Sequence, residues 1–306
     1  MTTIRLSQSI VTRLILVAVA LMLIANAMRY FAFVSFMRED LTNVVSVELE
    51  ALSRDMAHHV EYKIVERQKM LFKTALALPL DLLKQPDRLR DWLREYHDLN
   101  PLFSQDLFVA GLDGYSITNY RKIGGREEIN YSDRDYFQGA LAGEPTIGRP
   151  TTVSVTKEPI LPFAVPIKDA SGRVQAVLAG VTSLSPYCFH EAIHRGDIRT
   201  TGGCLLISPK EQTLIAATKP ELILQPTGPP GVNLLHDRAL AGFRGSGITV
   251  NAQGEEEIVA FASVPSTGWF MVARLPTQEA FVLLSHSKSF FLKTGLAPIE
   301  QLIQSS

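Results

Sequence analysis

The sequence predicts an α+β protein in which an amino-terminal transmembrane helix runs into a long stalk helix, and two antiparallel-sheet subdomains follow. Three observations support this prediction. An apolar run lies at residues 14–28, and an apolar stripe at helical spacing begins at residue 41. Two successive segments, 85–190 and 191–280, then repeat one order of hairpin, short helix and three strands, which indicates a duplicated fold.

The composition is that of a globular chain with one membrane segment. Of 306 residues, 46% are hydrophobic and 20% are charged, and the net charge is −1 with both signs mixed along the chain. Because no basic stripe appears, we expect no nucleic-acid partner. The two cysteines, Cys188 and Cys204, permit one disulfide at most, and it would form only outside the cytoplasm.

The amino terminus predicts a signal anchor over residues 1–37. The apolar run Leu14–Met28 is shorter than the ~20 residues of a spanning helix. The segment reaches that length from Ile10 to Phe36 if the arginines at its two ends extend toward the interfaces. A cleaved signal peptide is the alternative, because Ala25-Asn26-Ala27 matches a small-x-small cleavage site.

The positions of the arginines predict the orientation of this anchor. Arg5 and Arg13 precede the apolar segment, which favours a cytoplasmic amino terminus. We therefore expect a single-pass protein of the bacterial inner membrane, with its main domain on the periplasmic side.

A long stalk helix is predicted over residues 38–84. Apolar residues recur at steps of three and four, and no glycine or proline interrupts the segment before Pro79. They lie at Leu41, Val45, Leu49, Leu52, Met56, Val60 and Ile64. The stripe has two interpretations: a homodimerisation face, or a surface that packs against the chain's own domain.

The first subdomain, 85–190, begins with a short helix, predicted over 87–96, and a hairpin around Asp113-Gly114. A loop, a second short helix and a three-strand meander follow, which is a PAS-like layout. We predict a ligand site at the start of that second helix. Its candidate side chains are cationic, aromatic or polar, namely Arg134, Tyr136, Phe137, Tyr131, Ser154 and Lys157.

The proposed roles follow from side-chain chemistry. Capping by Ser132 or Asp133 would place Arg134 in the first helical turn, where it can bind a carboxylate with two hydrogen bonds. Tyr136 and Phe137 would supply flat walls. The alternative is that Arg134 only pairs with a neighbouring acid and that one aromatic packs in the core.

This segment resembles the sensor domains of the double Cache family of bacterial membrane receptors. The resemblance rests on Arg134-Asp135-Tyr136-Phe137, on Gly143 and Gly148, and on Phe163-Ala164-Val165-Pro166-Ile167, and it extends over about residues 40–285. It is similar most of all to the sensor halves of membrane-bound diguanylate cyclases. The resemblance implies a non-enzymatic sensor that binds a small molecule without a cofactor.

One position departs from the amino-acid-binding members of that family. They carry an aspartate late in the third strand of the meander, which holds the ligand ammonium group, whereas this chain has Val181 or Thr182 there. The resemblance therefore implies a small anion, such as a carboxylate, as the ligand.

Residues His190-Glu191-Ala192-Ile193-His194 spell H-E-x-x-H, which on a helix is typical of zinc peptidases. An exported metallopeptidase using His190, Glu191 and His194 is thus an alternative function. No third ligand is evident, and the following GDIRTTGGCLLIS resembles the start of a second Cache subdomain, so we expect no metal.

We expect the first subdomain, 85–190, to be membrane-distal and the second, 191–280, to be membrane-proximal. The second has no Arg-x-aromatic-aromatic start, so we expect it to support or transmit and not to bind. Residues 281–306 predict a carboxy-terminal helix or tail without a clear output domain. A module that dimerises and binds nothing is the remaining alternative.

Overall fold

Long and short helices accompany two antiparallel sheets in the computed structural model, which describes residues 10–121, 129–152, 158–184 and 202–281. The α-helices are α1 Ile10–Ala77, α2 Pro86–Leu99, α3 Asp135–Leu141, α4 Leu234–Leu240 and α5 Thr277–Ala280. The strands are β1 Asp106–Ala110, β2 Ser116–Asn119, β3 Thr146–Ile147, β4 Thr151–Thr152, β5 Pro159–Lys168, β6 Val174–Ser183, β7 Gly203–Ser208, β8 Thr213–Ala217, β9 Gly245–Val250, β10 Glu256–Val264 and β11 Trp269–Pro276.

The amino-terminal part of α1 exposes a continuous apolar surface. Leu21, Met22, Met28 and Phe31 are each more than 60% exposed, which is the pattern of a helix whose solvent is lipid. Among the described residues, α1 is the one helix long and apolar enough to cross a membrane, with a mean hydropathy of 1.9 in its most apolar window.

The helix α1 ends earlier than the predicted stalk. It stops at Ala77, and a separate 3-10 helix covers Leu80–Lys84. The cause is Pro79, because a proline disfavours the α conformation of the residue before it.

The described residues between 49 and 275 form one compact unit that contains both sheets, and residues 10–48 with 276–281 belong to another. Within the first unit, the apolar stripe of α1 is buried, with Met56, Val60, Ile64 and Leu71 less than 8% exposed. The Sγ atom of Cys204 on β7 lies 3.2 Å from the Sδ atom of Met56. The stripe therefore packs against the chain's own domain over this length and is not an open dimerisation face.

The first sheet carries the predicted hairpin and meander. Its strand order is β2-β1-β6-β5-β3, with β4 also paired to β5, and all described pairs are antiparallel. Gly114 in the hairpin turn has φ +85°, a conformation that glycine adopts without a steric penalty. Helix α3 packs on the face formed by β5 and β6.

The second sheet repeats this arrangement. Its order is β8-β7-β11-β10-β9, which is the order of the first sheet with each strand replaced by its later counterpart. Helix α4 precedes β9 as α3 precedes β3. The predicted α+β fold with two PAS-like antiparallel-sheet subdomains is confirmed.

Candidate ligand-binding site

The predicted site lies at the start of α3, and its loop is held by side chains other than those predicted. The helix begins at Asp135 with Arg134 as its N-cap residue, and Arg134 makes no side-chain capping hydrogen bond. The prediction that Ser132 or Asp133 caps this helix is wrong. Asp135 Oδ1 instead accepts the Tyr136 N–H at 2.8 Å, and Asn130 Oδ1 accepts the Ser132 N–H at 2.8 Å.

The Arg134 guanidinium remains accessible. Its Nε atom lies 3.3 Å from Asp133 Oδ1, and the two side chains are 49% and 74% exposed. An ion pair this open to water contributes about 0–1 kcal/mol. A ligand that brings a better-placed anion can therefore displace Asp133 at small cost.

The three candidate aromatic residues are buried together. Tyr131, Tyr136 and Phe137 are 8%, 7% and 1% exposed and belong to one apolar cluster between α3 and the sheet. The Tyr131 ring lies 4.7 Å from that of Phe108 on β1. Burial raises the pKa of Tyr136, so its phenol is neutral at physiological pH. Both Tyr136 and Phe137 thus belong to the core beneath Arg134, and their role as ligand walls stays a prediction.

Several predicted residues lie outside the described ranges. These are Ser154, Lys157, Cys188, His190, Glu191 and His194. Among the residues that are described, no group of three or more His, Cys, Asp or Glu side chains is placed to hold a metal ion. Cys204 is buried, which raises the pKa of its thiol to about 12.

The direction of the β6 side chains shows which of Val181 and Thr182 faces the candidate site at α3. Val181 belongs to the cluster beneath α3, whereas Thr182 points to the opposite face, where its Oγ1 lies 3.5 Å from Ser104 Oγ. Alternate residues of a strand face opposite sides of a sheet, so Val181 occupies the position where amino-acid-binding relatives were expected to carry an aspartate. No carboxylate stands at that position of this strand.

A carboxylate lies beside Val181 on the neighbouring strand, which the sequence analysis did not identify. Asp106 is directly opposite Val181 in the β1–β6 ladder and is 0% exposed. Its Oδ2 accepts a hydrogen bond from Asn119 Nδ2 at 2.7 Å, and its Oδ1 accepts one from Leu107 N at 2.9 Å. The available signal was the charged residue that opens the apolar strand DLFVA.

A second group of polar contacts lies at the start of β5. Glu158 Oε1 accepts a hydrogen bond from Ser183 Oγ at 2.5 Å, and its Oε2 accepts one from Gln105 Nε2 at 2.8 Å. These bonds join the beginnings of β1 and β5 to the end of β6. The sheet therefore carries a polar end beside an apolar centre, which is the composition of a small-molecule site.

The sequence model of the Cache domain family matches residues 37–284. The chain belongs to the double Cache family. The match includes the H-E-x-x-H segment, which places these residues within a Cache domain and leaves the metallopeptidase alternative without support. No protein with a curated description matches the chain.

Solved Cache structures share the fold. The ligand-binding domain of the Campylobacter jejuni chemoreceptor Tlp3, in complex with L-valine, has a TM-score of 0.60 and 17% identity, covering 80% of this chain and 98% of that one. The domain of the Pseudomonas aeruginosa PAO1 amino acid chemoreceptor PctB, in complex with L-Arg, has a TM-score of 0.62 and 18% identity, covering 80% and 93%. The extracellular domain of the putative histidine kinase soHK1S-Z6 has a TM-score of 0.60 and 15% identity, covering 79% and 98%.

The family settles the broad class of the protein. Cache domains of this kind are the ligand-binding modules of chemoreceptors and kinases, and this chain is a sensor module of signal transduction. The ligand and its contacts are a separate question, because identities below 20% establish the fold alone.

Proposed function

We propose that this chain is the extracytoplasmic sensor module of a bacterial receptor, anchored in the inner membrane by the first part of α1. Its distal subdomain, which contains the first sheet, binds a small anionic metabolite with a carboxylate group. The single-pass anchor is supported by the exposed apolar surface of α1. The ligand site is supported by the geometry at the start of α3.

The observation that carries the proposal is the accessible guanidinium of Arg134 above a buried aromatic cluster. Arg134 is half exposed and has a weak surface partner, while Tyr131, Tyr136 and Phe137 hold the helix on the sheet below it. A planar guanidinium binds a carboxylate with two parallel hydrogen bonds. Tyr131 and Lys157 are assigned to selectivity, and Ser154 to a further polar contact.

Asp106 favours a second candidate ligand, an α-amino acid. Directly opposite residues of antiparallel strands have Cβ atoms about 4.5–5.5 Å apart, so the Asp106 carboxylate lies near the position of Val181. It can therefore hold an ammonium group from the adjacent strand. Tlp3 and PctB were solved with L-valine and L-Arg.

Signal transmission would begin at the same helix. Asp135 Oδ2 accepts a hydrogen bond from Arg149 N at 3.0 Å, and the Arg149 Nε lies 4.0 Å from Glu211 Oε1. Glu211 in turn is hydrogen-bonded to Ser208, the last residue of β7 in the second sheet. A ligand that repositions the start of α3 would thus shift the balance between two arrangements of the subdomains.

A thermal-shift experiment on the detergent-solubilised full chain tests this function. Each carboxylate of a panel is paired with the amino acid and the amine of the same carbon skeleton. A ligand at ~100 times its dissociation constant adds about 2.7 kcal/mol of stability. We expect carboxylates to raise the melting temperature of the wild type and of Arg173→Ala, an exposed-arginine control, but not of Arg134→Ala.

The panel separates the two candidates. Stabilisation by amino acids alone, lost in Asp106→Asn, would replace the anion with an amino acid as the ligand. Stabilisation by no compound, or equal stabilisation of Arg134→Ala and the wild type, would contradict the proposed site and favour a module that binds nothing.

We also propose that the chain dimerises through α1, on a face other than the buried stripe. Val44 and Val47 are 61% and 66% exposed and lie one turn apart on this helix. Disulfide crosslinking of Val47→Cys in a Cys188→Ser background tests the contact. We expect a crosslinked dimer in membranes, and its absence under oxidising conditions would contradict this interface.

A further inference from the structure

The second sheet, in the membrane-proximal subdomain, has an open cavity on the face that α4 covers. It encloses about 850 Å³ including its mouth. Its floor is apolar, and one wall is the proline-containing loop before α4. The floor residues come from four strands, namely Leu205, Ile207, Leu214, Val259, Phe261 and Val272.

Two opposite charges border this floor. On β10, Glu257 shares the face of Val259 and Phe261, and on β11, Arg274 shares the face of Val272. Arg274 Nη1 lies 3.6 Å from Glu257 Oε2. Asn251 Nδ2 donates to the same oxygen at 3.5 Å. Charge-assisted N–H···O bonds are normally about 2.7–2.9 Å long, so both contacts are long and each charged group retains bonding capacity.

Arg274 occupies the position in the second sheet that Val181 has in the first. Arg274 is opposite Gly203, the first residue of β7, just as Val181 is opposite Asp106, the first residue of β1. The two sheets have the same strand order. The duplicated fold therefore presents two equivalent faces, and each carries ionisable groups at the same end.

A third polar group faces the cavity from α4. His236 borders the cavity, and its buried Nε2 has no hydrogen-bond partner among the described residues. Burial lowers the pKa of His236, so the ring is neutral near pH 7 and offers one donor and one acceptor. A buried polar atom without a partner is uncommon in a native structure, and a bound ligand would satisfy it.

We propose that this cavity is a second ligand site, in which Arg274 binds the carboxylate and Glu257 the ammonium group of a small zwitterion with an apolar side chain. A simple anion would draw Arg274 away from Glu257 and leave that buried carboxylate without a cation, and a simple cation would draw Glu257 away from Arg274 in the same way. A zwitterion satisfies both groups, and the apolar floor accommodates its side chain.

The test uses the detergent-solubilised full chain carrying Arg134→Ala, which removes the proposed distal anchor. Binding of L-leucine is measured by calorimetry and compared with 4-methylpentanoate and 3-methylbutylamine, which lack one charge each. We expect L-leucine to bind, and each single-charge analogue to bind roughly tenfold more weakly or worse, because one charged group loses its hydrogen bonds.

Substitutions locate the site. We expect Glu257→Gln and Arg274→Gln each to weaken L-leucine binding by roughly tenfold or more, whereas Glu144→Gln, which removes an exposed carboxylate of the first subdomain, leaves it unchanged. Ala252→Trp keeps both charges and fills the exposed rim, and it should also block binding.

Two results would overturn the proposal. One is the absence of L-leucine, L-valine and L-phenylalanine binding at about 1 mM, a concentration that detects affinities of about −4 kcal/mol. The other is binding that survives Glu257→Gln, Arg274→Gln and Ala252→Trp in variants that melt as the parent does. Neither result depends on whether carboxylates bind at Arg134, so this site and the distal one fail separately.

Discussion

Gly148 is the position where a single methyl group should disturb the distal site most directly. This glycine is buried between α3 and β5, and a Cβ atom built on it would lie 2.7 Å from Tyr136 Cδ1 and 2.8 Å from Pro162 Cγ. Ordinary contacts of a Cβ atom begin at about 3.4 Å, so Gly148→Ala requires a movement of about 0.7 Å.

The surroundings resist that movement. The Gly148 N–H donates to Pro162 O at 2.9 Å, and the next residue, Arg149, donates its N–H to Asp135 Oδ2 at 3.0 Å. The loop is thus tied to both β5 and the first residue of α3, and neither the Tyr136 ring nor the Pro162 ring is flexible. Overpacking of this kind costs about 1–3 kcal/mol.

The assay is thermal unfolding followed by circular dichroism. At about 2–4 °C per kcal/mol for a unit of this size, Gly148→Ala should lower the melting temperature by roughly 2–12 °C. Because Tyr136 is displaced with the loop, the variant should also bind carboxylates more weakly. The control is Gly228→Ala, where a Cβ atom meets nothing within 4 Å, so its melting temperature should be unchanged or slightly higher.

An unchanged melting temperature for Gly148→Ala would refute this argument. That result would mean that the loop at Gly148 can move without an energetic cost. The hydrogen bonds to Pro162 and Asp135 would then not hold α3 on the sheet. A melting temperature for Gly148→Ala that is no lower than that of Gly228→Ala would have the same meaning.

Three further predictions concern core packing, the stalk and pH. Phe137→Ala should lower the free energy of unfolding by about 3–5 kcal/mol in urea titrations, whereas Leu141→Ala, 38% exposed on the same helix, should cost far less. Glu61→Gln should lower the free energy of unfolding by about 1 kcal/mol, because Glu61 Oε2 accepts hydrogen bonds from the N–H and the Oγ–H of Ser266 at 3.0 and 2.8 Å. A variant as stable as the wild type would show that this contact does not hold the turn to α1. Burial lowers the pKa of His236 below 6.5, so as the pH falls the unfolded chain binds a proton on this ring before the folded chain does, and stability drops below about pH 6.5. Between pH 7.5 and 5 the melting temperature should therefore decrease less in His236→Gln than in the wild type. An equal decrease in both would contradict this.

The candidate site was predictable in its location and not in its contacts. The Arg134-to-Phe137 motif marks the start of α3 from sequence, since its charge and aromatics stand out in a polar loop. The sequence does not show that Asn130 and Asp135 organise that loop, because several neighbouring residues are equally good caps. Nor does it show that Tyr136 and Phe137 are both buried, since burial depends on which strands lie below them.

The stalk helix was likewise predictable from the sequence, whereas its packing partner was not. The apolar stripe from Leu49 to Ile64 predicts a helix with one buried side, and the structure contains that helix. A stripe is the same whether its partner is another copy of the helix or a sheet of the same chain, so the sequence leaves two interpretations open. The packing of Met56 against Cys204 decides between them.

The sequence by itself determined the order of the elements, the duplication of the fold and the membership of the double Cache family, because these depend on local periodicity, turn residues and short motifs. Only the tertiary structure decided that Val181 faces the site, that Asp106 stands opposite it, and that Glu257 and Arg274 meet above an apolar floor. These pairings depend on strand register between residues far apart in the chain. A shift of one residue would turn each side chain to the opposite face, and no local pattern fixes that register.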